Sequence, residues 1–305
     1  MRKIKSLIAA LLVVVFVVTM LPTNTYAADI PVPEMPVQKL NNKKVFSLLR
    51  SSVSSSTIQK NKNYNRVLQK LPQYVYNQNR VDLNVGDCKF KNVGCELAAC
   101  YNATIELSPL SLRADRKLRL ADYIYYAEAN KYTMSFNSSN STALAKELLN
   151  TYFNTWSVYI ARILLGDSMI GAIVSLMSSS YGFNKAACFG TDPYAIPDIL
   201  NKGGVIKVTN TFNSYNSMLE CVNANLHYSK PKKVYILSYW NYPTLNECFA
   251  HESGFHTICF YTTGGQIYTL NNNYNSPNST ETVKSFERIM GNQKRFIVGY
   301  CVTLK

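Results

Sequence analysis

Apolar residues in this chain follow one spacing before about residue 205 and another after it. From Cys95 to about Leu107 they recur at helical intervals, with alanines between them. Leu112 to Ala129 predicts a second helix, with Leu118, Leu120, Ile124 and Tyr125 roughly on one face. Ser141 caps a third, running through Tyr152, and an apolar segment from about Ser157 to Leu176 predicts a long fourth. Arg162 and Asp167 inside that segment favour core packing over membrane insertion. A short helix from Ala195 to Asn201 should stop at Gly203-Gly204. Beyond it, β-branched and aromatic runs predict strands at Val205–Thr209, Lys233–Tyr239, Phe255–Thr262, Gln266–Leu270, Val283–Ile289 and Arg295–Thr303. Thr263-Gly264-Gly265 joins two of them as a tight hairpin. Helices first and an antiparallel sheet afterwards is an α+β architecture.

The first part of the chain follows neither spacing. Arg2, Lys3 and Lys5 precede an apolar stretch from Leu7 to about Leu21, and Pro22 and small residues up to Ala27 and Ala28 follow it. This is the pattern of a secretory signal peptide over residues 1–27, with an uncleaved membrane anchor as the alternative. Pro31, Pro33 and Pro36 keep the next segment extended, and residues 41–80 are rich in Ser, Asn and Lys. Residues 28–75 therefore read as a linker or pro-segment, and 76–305 as the folded domain.

Charge and cysteine content narrow the partners. The formal charge is +14, and a signal peptide would remove three positive charges from it. The lysines are dispersed, as at Lys43-Lys44, Lys60 and Lys62, and Lys230 with Lys232-Lys233, and no nucleic-acid motif accompanies them. A solvated basic surface is expected, with an anionic cell-surface polymer as a partner class and no nucleic acid. No stable membrane insertion is expected after signal cleavage. Eight cysteines in 305 residues are too sparse for a disulfide scaffold, so zero to two disulfides are expected.

Two distant segments carry candidate chemistry. Asn92-Val93-Gly94-Cys95-Glu96 places a cysteine where a glycine-led loop turns into a helix. There the positive end of the helix dipole should lower the thiol pKa and favour the thiolate nucleophile. Gly254-Phe255-His256 places a histidine at the start of a strand, as a candidate general base. The next strand runs back antiparallel and ends at Asn271, whose amide is then the candidate for orienting the imidazole. Cys248, His251, His256 and Cys259 also have a zinc-like spacing. Against zinc, His256 and Cys259 are an odd number of residues apart on a strand and face opposite sides. No metal and no cofactor are expected.

The order of these parts resembles papain-like bacterial cysteine peptidases, in particular relatives of the double-glycine leader peptidases. Gly94-Cys95-Glu96 is similar to their nucleophile segment. Ile196 to Ile206 is similar to their helix, glycine turn and central strand. Gly254-Phe255-His256 followed by Gln266 to Asn271 is similar to their histidine strand and the strand ending in Asp or Asn. The resemblance covers about 85–107 and 190–305, and it makes residues 108–189 a helical insertion. It implies a papain-like fold and a cysteine hydrolase, first of all a peptidase acting through a thioester on a peptide or protein substrate, and the signal-peptide pattern makes it secreted or cell-surface associated. Cys95, His256 and Asn271 would form its triad. The family's glutamine, about six residues before the cysteine, is replaced by Lys89 here, which leaves Asn92 as the oxyanion candidate. The alternatives are a transglutaminase-like or NlpC-type cell-wall hydrolase, or a catalytically inactive papain-like binding module.

Overall fold

The computed structural model describes residues 35–68, 74–108, 119–153, 189–227, 233–250, 254–271, 279–292 and 294–305. The expected signal peptide and the long apolar helix at 157–176 lie outside them, as does His251. Among the described residues, no helix is long and apolar enough to cross a membrane.

The helices before the sheet are α1 (Asn42–Leu49), α2 (Ser55–Leu68), α3 (Phe90–Val93), α4 (Cys95–Leu107), α5 (Leu120–Ala129), α6 (Ser138–Phe153) and α7 (Ile196–Gly203). Short strand pairs lie among them: β1 (Asn84–Val85) with β2 (Cys88–Lys89), and β3 (Thr133–Met134) with β4 (Gly190–Thr191). The sheet strands are β5 (Ile206–Phe212), β6 (Val234–Trp240), β7 (Phe255–Thr263), β8 (Gln266–Leu270), β9 (Glu281–Val283) and β10 (Arg295–Leu304). Between them come α8 (Tyr215–Ala224), α9 (Leu245–Ala250) and α10 (Phe286–Met290). The chain is thus a mixed α+β protein with an antiparallel sheet in the order β5-β10-β6-β7-β8-β9.

β6 is buried at every position, because both faces of the sheet are covered. Val234, Ile236 and Trp240 face one core, which also contains α4; Tyr235, Leu237 and Tyr239 face the other, against α8 and α10. α4 lies across β6 and β7 and touches α5 and α7 on its other sides. Every residue from Cys95 to Ile105 is buried, which explains the small side chains in this helix.

The segment expected as a linker is folded from Asn42 to Leu68. Val45, Phe46 and Leu49 form a single apolar stripe on α1, and the Phe46 ring stacks on Trp240 with centroids 5.2 Å apart. The run predicted as a strand at Val283–Ile289 is instead a short strand followed by α10. Phe286, Ile289 and Met290 are buried at helical spacing there. In the expected insertion, α5 packs on α4, and α6 packs on α1. Cys88 is disulfide-bonded, while Cys95, Cys100, Cys221, Cys248 and Cys301 are thiols.

Candidate active site

Gly94 closes α3 and precedes the first residue of α4. A Cβ at this position would stand 2.5 Å from the fully buried Phe90 ring, so the turn accepts only glycine without repacking. This turn places Cys95 at the helix N-terminus, 5% exposed. The other half of the site is fixed in the same way. A Cβ on Gly254 would fall 1.9 Å from the Cys248 carbonyl oxygen, so α9 and the start of β7 meet at a residue without a side chain.

The alternation of β7 divides its residues between the two cores. Phe255 and Cys259 pack on the α4 side, Ile258 and Phe260 on the other. His256 shares the parity of Ile258 and lies opposite Tyr239, ring edge to ring face, with centroids 6.0 Å apart. Thr257 faces α4. The β7–β8 ladder ends at Cys259↔Leu270, which leaves the edge of β7 at Thr257 free for another partner. The Cys95 sulfur takes that place and accepts a hydrogen bond from the Thr257 backbone N–H. The thiol thus touches the peptide that joins His256 to Thr257.

His256 is held by the residue expected to hold it, through a different atom. Its Nε2 lies 2.8 Å from the backbone carbonyl oxygen of Asn271. A carbonyl can only accept, so Nε2 carries the proton and Nδ1 is the basic nitrogen of the neutral ring. Asn271 has φ of +57°, a left-handed conformation that asparagine tolerates better than most residues. Its side-chain amide, expected on the imidazole, is turned to Gln78: Oδ1 accepts from the Gln78 N–H at 3.0 Å, and Nδ2 donates to Gln78 Oε1 at 2.8 Å. Gln78 Nε2 in turn donates to the Lys91 carbonyl at 2.8 Å, tying this clasp to α3. Gln78 was not found from the sequence. It lies well upstream of Lys89, where the resemblance puts the family's glutamine, and only the fold brings it to Asn271.

Compared with protein-family models, curated proteins and solved structures, the chain matches none. The chemistry of the site therefore rests on its own geometry.

The thiol donates to a group that sequence reasoning did not consider. Cys95 Sγ lies 3.0 Å from Glu96 Oε1, while the His256 ring makes its hydrogen bond to Asn271. Glu96 is fully buried. Its Oε1 also accepts from the Thr257 hydroxyl at 2.9 Å, and its Oε2 from the Thr191 N–H at 3.3 Å. Burial without a cationic partner raises the Glu96 pKa to about 7, with these donors opposing the rise. The expected lowering of the thiol pKa is reversed. Burial first, then the neighbouring Glu96 carboxylate, push Cys95 well above its ordinary value, and the backbone N–H groups of Thr257 and Glu96 oppose the rise without offsetting it. Burial lowers His256 to about 4, with Lys294 adding to the effect and the Asn271 carbonyl opposing it. Around neutral pH the site therefore holds a thiol and a neutral imidazole.

Asn92, the expected oxyanion donor, is half-buried on α3. Lys89, at the position of the absent glutamine, is ion-paired with Asp82 at 3.1 Å on the surface. Cys259 packs in the α4 core while His256 faces Tyr239, so this pair of the zinc-like spacing is split across the sheet.

Proposed function

We propose that this chain is an exported cysteine hydrolase of papain-like architecture that cuts a peptide bond through a thioester. Cys95 is its nucleophile and His256 its imidazole acid–base group. One observation supports this most: a thiol at a helix N-terminus rests on the backbone of the histidine strand, where His256 is locked as the Nε2–H tautomer with Nδ1 unprotonated. Asn271 orients that tautomer through its carbonyl. Asn92, three residues before the nucleophile on the helix that leads to it, remains the oxyanion candidate together with the Cys95 N–H. The basic composition and the N-terminal apolar stretch support export and a cell-surface setting.

A second reading, an inactive module that keeps the shape of a peptidase, draws on the burial and raised pKa of the same thiol. The two readings part on labelling by the thiol-reactive epoxide E-64. The hydrolase should be labelled at Cys95 in preference to its other thiols, and His256→Ala should slow that labelling strongly. Cys95→Ala should abolish cleavage. Labelling spread over several cysteines, or absent, would favour the binding module.

A further inference from the structure

The carboxylate of Glu96 is buried, in contact with the nucleophilic sulfur, and unused by a cysteine–histidine mechanism. We propose that Glu96 is a second catalytic group, which takes the Cys95 proton so that the nucleophile forms as the thiolate–carboxylic acid tautomer of a pair sharing one proton. This rests on the hydrolase reading and deepens it. In the forward step the S–H bond breaks and its proton passes to Glu96 Oε1. The sulfur lone pair then forms the bond to the substrate carbonyl carbon. As the C–N bond breaks, the leaving amine takes a proton from the carboxylic acid. Water then hydrolyses the thioester: His256 Nδ1 takes one of its protons as its oxygen bonds to the acyl carbon, and returns that proton to the departing sulfur, which restores the thiol.

The geometry favours this transfer in three ways. The Sγ–Oε1 separation of 3.0 Å is already that of a hydrogen bond. Thr257 donates to the same oxygen and receives a hydrogen bond from Ser238, the two hydroxyls lying 2.8 Å apart, so the carboxylate is held from the sheet side. Thr191 on β4 fixes the second oxygen, and a Cβ on the preceding Gly190 would come within 3.4 Å of it. The groups around the pair are Cys100 on α4, Thr257 on β7, Tyr239 on β6 and Thr191 on β4, with Lys294 Nζ beyond them, 4.6 Å from the centre of the Tyr239 ring. Among the described residues, none brings a positive charge to Glu96. A carboxylate without a counter-ion is a stronger base than one in an ion pair, and its pKa of about 7 suits transfer near neutral pH. The second proton of the pair leaves only at higher pH, because two adjacent anions in a buried site repel.

The test is the pH dependence of iodoacetamide reaction at Cys95 in the full chain, read by mass spectrometry. The wild type should show a step through about pH 7 to a plateau, where the singly protonated pair supplies a constant fraction of thiolate. Glu96→Gln keeps the size and polarity of the side chain and should remove the step, slowing the reaction at least about tenfold at around pH 8. Thr257→Val keeps the shape and the backbone N–H while removing one donor to the carboxylate, so the step should move to higher pH. It provides the reading if Glu96→Gln does not fold. A step that survives Glu96→Gln, or stays in place in Thr257→Val, overturns the proposal. So does faster reaction of Glu96→Gln at every pH, which would make the carboxylate a brake. If His256→Ala abolishes the step while Glu96→Gln keeps it, the imidazole is the sole base and the hydrolase reading stands without this inference. If Cys95 reacts no more selectively than the other thiols in any variant, the hydrolase reading itself fails.

Discussion

Asn271 shows how one residue can serve a site through its backbone while its side chain works elsewhere. The left-handed φ of +57° turns its carbonyl onto His256 Nε2, and the Gln78 clasp holds that conformation. Asn271→Gly should keep the φ and the carbonyl and lose only the clasp. Asn271→Ala adds strain of about 1–2 kcal/mol for a left-handed residue with a Cβ. Both leave Gln78 with buried groups unpaired, at a cost of about 1–3 kcal/mol. E-64 should therefore label Cys95 faster in the glycine variant than in the alanine variant. Equal loss in both would mean that the amide, not the carbonyl, governs the imidazole. The sequence placed Asn271 at the end of the right strand, since register follows from alternation and the short hairpin. It did not reveal which atom of Asn271 points at the ring, because that depends on a backbone angle set by Gln78, far away in the chain. Glu96 was hidden for a different reason. A glutamate in the first turn of a helix ordinarily reads as a solvated partner of the dipole, and its complete burial follows only from where β4 and β7 close over it.

At the level of elements, the site depends on two tight junctions more than on the regular structure around it. The strands from β5 to β8 were legible as β-branched and aromatic runs, and β8 coincides with its predicted limits. Short apolar runs were not. Phe286, Ile289 and Met290 satisfy a helix, yet a β-branched and aromatic run of that length reads equally well as a strand. α1 escaped notice because its whole buried stripe is Val45, Phe46 and Leu49 within a polar segment. The junction at Gly94 makes a direct prediction. Gly94→Ala sets a methyl group against the Phe90 ring, which is sealed in the core and has little room to retreat. Overpacking of this kind costs about 1–3 kcal/mol. It should lower the urea midpoint and, by tilting the first turn of α4, slow labelling of Cys95 more than alanine at the exposed Lys91 does. Unchanged labelling with lowered stability would show that the turn supports the fold without setting the nucleophile.

For the molecule as a whole, the two buried titratable groups of the site act on stability in opposite directions. Glu96 moves from 4.5 to about 7 on folding, so the folded state holds its proton more tightly. Its contribution is present below about pH 4.5 and is lost as pH rises to about 7. His256 moves from 6.5 to about 4, so the folded state resists its protonation. Its contribution is present above about pH 6.5 and is lost as pH falls to about 4. Each shift corresponds to about 3 kcal/mol, and over the shared window the two nearly cancel. The wild type should therefore show little pH dependence from this site. Glu96→Gln leaves the histidine unopposed, so its stability relative to wild type should climb by up to about 3 kcal/mol between roughly pH 4 and 7. His256→Gln leaves the carboxylate unopposed and should fall by a similar amount over the same range. Urea unfolding of the three proteins at the two ends of that window reads both slopes. If the difference between wild type and Glu96→Gln is the same at both ends, Glu96 holds its proton equally tightly in the folded and unfolded states, and its burial does not raise its pKa.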